Sequence, residues 1–190
     1  MRNCPFFVAV LTWLYQNSEN DIMRLFIALI PSPSVKDALI HVQRDLDYQG
    51  VQGNYTKEEN LHLTLAFIGE YSDPDEVFDA LATVSFSTFS LTLEGIGTFG
   101  DLWWAGVALS PALDTLARRI RRALAENHIP FDRKKFSPHI TLLRKAVMTS
   151  GFPEIQVSAA TMTVDRFTLM RSDRGKHGMI YTELGSIISL

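Results

Sequence analysis

Two short stretches of the chain, "NLHLTLAFIG" and "SPHITLLRK", each place a histidine two positions before a threonine, in matching apolar surroundings. Only five histidines occur among the 190 residues. Alternate side chains of an extended strand lie on the same face, so His62 would project together with Thr64. By the same rule, His139 would project together with Thr141. The sequence therefore predicts two strands that each present an imidazole beside a hydroxyl.

A structural role is the alternative for each motif. A single His-x-Thr strand is most simply a buried strand whose histidine is hydrogen-bonded inside the core. Two copies, separated by about half the length of a domain and followed by similar apolar residues, favour a functional pair.

Composition restricts the chain to an ordinary globular domain. Apolar residues make up 46% and charged residues 21% of 190 residues, which suits one domain or two closely packed lobes. Cys4 is the only cysteine, so no internal disulfide forms, and no Cys/His cluster has the spacing of zinc ligands. We predict no metal, no cofactor and no membrane association, and we expect a cytoplasmic monomer.

Charge is distributed unevenly along the chain. The net charge of −3 argues against a surface built mainly to bind nucleic acid backbone. From Pro111 to Lys145, however, nine lysines and arginines stand against three acidic residues. We expect most arginines of "RRIRR" to lie on a solvent-facing helix surface, from which they still favour an anionic ligand nearby.

Residues 1–22 differ from the rest of the chain. Their apolar run "PFFVAVLTWLY" is too short to cross a bilayer as a helix, and no small-residue cleavage site of a signal peptide follows it. Met23 then begins "MRLFIALIP", which predicts a buried strand. We expect residues 1–22 to be an N-terminal extension that the fold does not need, and residues 23–190 to form a single domain.

Helical and strand patterns alternate after the extension. Strands are predicted at 24–30, 61–68, 88–98, 102–109, 138–143, 160–170 and 178–184. Helices are predicted through Val35 to Leu46, from Asp73 to about Val84, and from Ser110 to about Asn127. The two His-x-Thr motifs occupy corresponding strands. This order predicts an α+β fold in which a duplicated, bilobal unit places two antiparallel sheets around a central cleft, with helices on the outside.

The segments "RLFIAL", "NLHLTLAFIGE" and "PHITLLRK" resemble those of the two-histidine (2H) phosphoesterases. The resemblance is strongest to the bacterial and archaeal RNA 2′,3′-cyclic phosphodiesterases, long called 2′-5′ RNA ligases, and it extends from Met23 to about Gly185. It implies a bilobal fold with both motifs in the cleft and metal-independent hydrolysis of RNA 2′,3′-cyclic phosphate ends to 2′-phosphates. It also implies that His62 is the acid and His139 the base.

The same chemistry follows from the residue types. Opening a cyclic phosphodiester needs a base that takes a proton from water and an acid that protonates the departing ribose oxygen. Two histidines can divide these roles because imidazole titrates near neutral pH. The hydroxyls of Thr64 and Thr141 would donate hydrogen bonds to the non-bridging phosphate oxygens.

Arg144 is a further candidate for phosphate binding, because the family carries an arginine at this place. Its offset of five from His139 would put it on the opposite face of a regular strand, so we expect a bend there. Lys145, which has the same parity as His139, is the alternative, and a surface role for Arg144 is another.

Two other functions stay open at this stage. The protein would be a phosphodiesterase for small cyclic nucleotides or nucleotide-sugar cyclic phosphates, or a module that binds RNA ends without turnover. Intact histidines and threonines in both motifs favour catalysis. The partner is thus an RNA end or a small cyclic nucleotide, and reversible 2′-5′ ligation is a further possible activity.

Overall fold

A computed structural model describes residues 22–148, 151, 153–176 and 178–190. The predicted extension therefore lies outside the described residues, except for Ile22. The helices are α1 (Pro33–Tyr48), α2 (Pro74–Ala82) and α3 (Pro111–Glu126), and a short 3₁₀ helix spans Glu58–Asn60. The strands are β1 (Met23–Leu29), β2 (Val51–Tyr55), β3 (Leu63–Tyr71), β4 (Phe89–Phe99), β5 (Leu102–Val107), β6 (His139–Met148), β7 (Thr161–Val164), β8 (Arg166–Gly175) and β9 (Gly178–Ile188).

The helices begin where their capping residues predict. Asp73 accepts hydrogen bonds from two main-chain amides of the first turn of α2, and Ser110 accepts one from Leu113 in α3. A proline follows each cap, where its missing N–H costs no helical hydrogen bond. The predicted starts of α2 and α3 are therefore confirmed.

The strands pair in the order β7-β4-β5-β6-β3-β1-β8-β9, with β2 on β6, and each of these pairs is antiparallel. Strands β4 to β7 with β2 form one group, and β1, β3, β8 and β9 form the other. The two groups meet through Leu63 and Ile140, the pair that joins β3 to β6. The α+β class is confirmed, and the two groups of strands are joined into one curled sheet at this pair.

Helices cover the outer face of each group. Helix α1 packs against β2, β6 and β7, whereas α3 packs against β3 and α2 against β9. The main apolar core lies between the helices and the sheet. It includes Phe167, Leu63 and Leu142, whose side chains are fully buried. Phe26, Ala28 and Met170 form a separate small cluster on the other face of the sheet, because they alternate with core residues along β1 and β8.

One prediction about strands was wrong, and one strand was missed. The segment 160–170 forms two strands rather than one, since the chain changes partners at Asp165: β7 pairs with β4, while β8 pairs with β1 and β9. Strand β2 was not predicted. Its Gly53 and Asn54 disfavour strands, and the pairing with β6 forms despite this low propensity.

Candidate active site

The two His-x-Thr motifs meet where β3 joins β6. Leu63 lies opposite Ile140, and both side chains are buried in the core. The flanking residues of both strands therefore project from the other face, into the cleft. In an antiparallel pair with this register, His62 lies on the side of Thr141 and His139 on the side of Thr64. In this register, each histidine therefore corresponds in position to the threonine of the other motif.

Main-chain carbonyl groups fix both imidazole rings. The Nδ1 atom of His62 lies 2.7 Å from the carbonyl oxygen of Asn60, and that of His139 lies 2.7 Å from the carbonyl oxygen of Ser137. A carbonyl oxygen only accepts, so Nδ1 carries the proton and donates it in both rings. Nε2 is therefore the ring nitrogen that each histidine offers to a substrate.

A bulge in β6 brings Arg144 to the histidine face. Thr141 pairs with Trp104 and Leu143 with the preceding residue, Trp103, so β6 carries one extra residue at this point. Leu142 and Leu143 are both buried, and Arg144 then returns to the face of His139. The bend expected before Arg144 is present. Lys145, the alternative, has the left-handed φ of 54° and does not line the cavity described below.

Helix α1 holds this bulge through a buried amide. The Nε2 atom of Gln43 donates hydrogen bonds to the carbonyl oxygens of Leu142, at 2.7 Å, and Thr56, at 2.8 Å. The Thr56 amide donates to the same Leu142 carbonyl. Gln43 is 7% exposed, so it stabilises the irregular backbone from within the core.

Strand β3 has a matching bulge after its own motif. Thr64 pairs with Ala28, and Ala66 pairs with the preceding β1 residue, Ile27. Leu65 and Ala66 are both buried, which brings Phe67 to the face of Thr64. The Nε atom of Arg121 in α3 donates to the Leu65 carbonyl oxygen at 3.3 Å. Both motifs therefore end in a bulge whose carbonyl is bonded by a helix side chain.

A cavity of about 260 Å³ opens beside His62. It brings together His62, Thr64 and Arg144 of the predicted site residues, whereas His139 and Thr141 are not among its lining residues. The lining residues are Arg24, Phe26, His62, Thr64, Phe67, Arg144, Ser172, Met179 and Tyr181. His139 and Thr141 lie on β6, which meets β3 at the Leu63–Ile140 pair.

His62 lies against aromatic rings, with centroid distances of 4.8 Å to Phe26 and 5.1 Å to Tyr181. Burial lowers the pKa of His62 below its ordinary value of 6.5, and its electrostatic interactions with Arg144 and His139 lower it further. The hydrogen bond to the Asn60 carbonyl opposes this shift but does not cancel it. His62 is therefore mainly neutral at pH 7 in the unliganded protein.

His139 lies in a different aromatic setting. Its ring is 5.2 Å from that of Phe99, which meets it edge to face, and 6.2 Å from that of Trp104. Trp103, the neighbour of Trp104, is buried in the core, as expected for adjacent residues of a strand. Phe99 is 47% exposed, so the second histidine lies beside aromatic surface that solvent reaches.

Comparison with known proteins decides the family. The sequence profile of the 2′-5′ RNA ligase superfamily matches residues 31–176. The chain belongs to this superfamily. It is 32% identical over 180 residues to the RNA 2′,3′-cyclic phosphodiesterase of Thermotoga maritima, covering 85% of this chain and 93% of that protein. It is also 33% identical over 168 residues to the RNA 2′,3′-cyclic phosphodiesterase of Escherichia coli, which again covers 85% of this chain and 93% of that protein.

Solved structures of this superfamily share the fold. The structure of Escherichia coli LigT in its apo form matches with a TM-score of 0.74 at 27% identity, covering 88% of this chain and 98% of that chain. LigT complexed with 3′-AMP matches with a TM-score of 0.74 at 28% identity, covering 89% of this chain and 99% of that chain. The likeness therefore covers both motifs and the strands around them.

Sequence reasoning missed several residues of the cavity, including Arg24, Ser172 and Tyr181. Ser172 and Tyr181 belong to the β8–β9 hairpin, and Arg24 to β1, so only the sheet order places them beside His62. Within the described residues, no cluster of three or more His, Cys, Asp or Glu side chains is arranged to hold a metal ion. Each helix described is too short or too polar to cross a membrane.

Proposed function

We propose that the protein hydrolyses RNA 2′,3′-cyclic phosphate ends to 2′-phosphate ends, with His62 and His139 as its acid and base. The observation that carries this proposal is the pair of identically anchored imidazoles, each beside a threonine, at the β3–β6 junction. The names of the relatives from Thermotoga maritima and Escherichia coli support the substrate. The 3′-AMP bound to LigT supports a nucleotide ligand in this fold.

The reaction requires one proton to enter and one to leave at opposite sides of phosphorus. Nε2 of His139 takes a proton from water, and the water oxygen forms a bond to phosphorus. The bond from phosphorus to O3′ breaks, and O3′ takes a proton from Nε2 of His62. The products are a 2′-phosphomonoester and a free 3′-hydroxyl. Hydroxyls of Thr64 and Thr141 donate to the non-bridging oxygens as negative charge gathers there.

Arg144 adds a charged donor to the same phosphate. It lines the cavity with His62 and Thr64, and it is close enough to lower the His62 pKa. A guanidinium presents several N–H donors in a plane, which suits two phosphate oxygens at once. We propose phosphate binding by Arg144 for these reasons.

The acidic role of His62 depends on the substrate. An imidazole with a lowered pKa loses its proton readily, which favours donation to O3′, but it holds little of that proton in the unliganded protein. An anionic phosphodiester placed between His62 and Arg144 offsets the positive charge of the guanidinium and stabilises the imidazolium. Substrate binding would thus raise the pKa of His62 and protonate the acid before bond cleavage.

An oligonucleotide that ends in a 2′,3′-cyclic phosphate tests the proposal directly. The protein is incubated with it in EDTA, and the position of the product phosphate is determined. We expect a 2′-phosphate and undiminished turnover in the chelator. No turnover, a 3′-phosphate product, or activity that returns only with a divalent ion would each contradict the mechanism.

Two further substrates separate the neighbouring activities. Parallel incubation with 2′,3′-cyclic AMP tests a preference for small cyclic nucleotides. Addition of an RNA with a free 5′-hydroxyl tests 2′-5′ ligation, in which that hydroxyl oxygen replaces water as the attacking group. The control in all three assays is the double variant His62→Asn/His139→Asn.

We further propose that residues 23–190 act as one domain without the preceding extension. The catalytic pattern begins after Met23, and both motifs with their supporting helices lie within the described part of that range. A protein that begins at Met23 is expected to unfold cooperatively and to retain full turnover. An insoluble or inactive truncation would show that residues 1–22 contribute to the domain.

A further inference from the structure

Arg24 lines the His62 cavity without an ion-pair partner among the described residues. Its cross-strand neighbour is Glu70, yet the guanidinium lies over the ring of Phe67 instead, 5.0 Å from its centroid. A cation over an aromatic face is held in place at little cost to its remaining donors. Arg24 therefore presents an oriented positive charge to the cavity.

The two halves of the site explain why an arginine from β1 lies here. Phe67 follows His62 by five positions, as Arg144 follows His139, and a bulge turns each of them to the cleft. In the half of the site built on β6, Arg144 of the motif strand itself supplies the guanidinium. In the half built on β3, the residue equivalent to Arg144 is Phe67, and Arg24 of β1 places its guanidinium over the Phe67 ring.

The charges around the cavity exceed what one phosphodiester needs. Arg24 and Arg144 line it together, and no aspartate or glutamate is among its lining residues. By contrast, Arg171 and Arg166 elsewhere on β8 are each paired with an aspartate. A 2′,3′-cyclic phosphate carries a single negative charge, and Arg144 with the two threonines can bind it. The second guanidinium is left for a second anion.

Arg24 and Arg144 also differ in their electrostatic effect on His62. The charged groups that lower the His62 pKa are Arg144 and His139, and Arg24 is not one of them. A cavity of about 260 Å³ is also smaller than the roughly 300–1,000 Å³ of pockets that enclose small ligands. It suits the end of a longer chain, whose remainder passes over the exposed Arg24.

We propose that Arg24 binds a second phosphate group, on the 5′ side of the terminal ribose, and so favours RNA ends over small cyclic nucleotides. This inference rests on the proposed function, because the cyclic phosphate must occupy the His62 end of the cavity. The second phosphate is the internal phosphodiester of an RNA or the 5′-phosphate of a mononucleotide. Both carry the same anionic oxygens that a guanidinium binds in pairs.

Three substrates test the assignment: adenosine 2′,3′-cyclic phosphate, its 5′-phosphorylated form, and a short oligonucleotide with a 2′,3′-cyclic phosphate end. We expect Arg24→Gln to lower kcat/KM for the two substrates with a second phosphate by about 10- to 100-fold more than for the first. Arg24→Lys should retain part of the preference, since it keeps the charge but not the planar donors. Arg122→Gln removes a charge from the outer face of α3 and should leave the ratio unchanged.

Salt dependence gives a second readout for the oligonucleotide. Loss of one phosphate contact to a single strand reduces the slope of log affinity against log salt by about 0.7. An equal loss of kcat/KM on all three substrates would place Arg24 at the scissile phosphate. No loss on any of them would mean that Arg24 only packs on Phe67. Either result overturns the inference. Failure of the proposed function is distinct, because the wild-type protein would then turn over none of the three.

Discussion

His62 and His139 make the same hydrogen bond: each Nδ1 atom lies 2.7 Å from the carbonyl oxygen two residues earlier in the chain. The bond is local to each motif, so each strand fixes the tautomer of its own histidine. Two imidazoles that expose Nε2 at one strand junction can exchange protons with groups on either side of a phosphate. The likeness of the two anchors is the strongest structural sign that the motifs form a functional pair.

Replacement of either histidine by asparagine tests the role of Nε2. The asparagine amide can still donate to the carbonyl that Nδ1 now bonds, but it has no group in the place of Nε2. We expect His62→Asn and His139→Asn each to lower kcat by roughly 10²- to 10⁴-fold, with little change in KM. Thermal unfolding serves as the control, and a lowered Tm that accounts for the lost activity would contradict a catalytic role.

The lowered pKa of His62 predicts how stability depends on pH. In the unfolded chain this histidine titrates near its ordinary value of 6.5, whereas in the folded protein it titrates lower. The unfolded state therefore binds more protons between these two values, and the free energy of unfolding falls as the pH falls through that window. Above pH 6.5, the contribution of the neutral, buried His62 to the free energy of unfolding is fully present.

Urea unfolding between pH 5 and pH 8 measures this contribution. The His62→Asn variant should lose less stability than the wild-type protein as the pH falls below about 6.5. In the same pH range, the NMR signals of the His62 ring should report a pKa below 6.5 in the free protein. This pKa should rise when a 2′-phosphorylated nucleotide binds. Identical pH dependence in both proteins would show that His62 is not the perturbed group.

Arg144 and Lys145 form a matched pair of adjacent cations. Arg144→Gln should lower kcat/KM by about 10- to 100-fold, since a charged donor to the phosphate is lost. Lys145→Gly should retain activity and raise the free energy of unfolding by about 1 kcal/mol, because the left-handed φ of 54° disfavours side chains with a Cβ. Steady-state kinetics and urea unfolding measure both effects. Loss of activity in Lys145→Gly with retention in Arg144→Gln would reverse the assignment.

The β6 bulge should matter for activity although its support is remote from the substrate. Gln43→Leu removes the donor to the carbonyl oxygens of Leu142 and Thr56, which costs about 1–3 kcal/mol if both stay buried. We expect lower kcat/KM as well, because the bulge positions Arg144. Gln49→Leu is the control, since Gln49 also bonds the main chain, but at Glu154, which lies outside the bulge. Equal kcat/KM of the two variants would contradict the view that the bulge positions Arg144 for catalysis.

Much of this site could be predicted from the sequence, because the necessary patterns are local. Alternation in the two motifs placed His62 with Thr64 and His139 with Thr141, and the odd offset of Arg144 indicated a bend. Caps at Asp73 and Ser110 located two helices.

Long-range pairing accounts for what the sequence could not show. Gln43 reaches the carbonyl of Leu142, and Arg24 reaches the ring of Phe67, only because α1 packs on β6 and β1 pairs with β3. Neither contact follows from a periodic pattern. The helix arginines illustrate the same limit: four side chains share one basic run, yet Arg121 alone among them bonds the carbonyl of Leu65 in the bulge.

The division of labour between the histidines is tested most directly with an activated substrate. A ribonucleotide analogue whose leaving group departs without a proton no longer needs the acid, but it still needs the base. We predict that this analogue restores most of the activity of His62→Ala and little of that of His139→Ala, measured as kcat/KM relative to the wild-type protein. Equal restoration of both variants, or restoration of His139→Ala alone, would contradict the account.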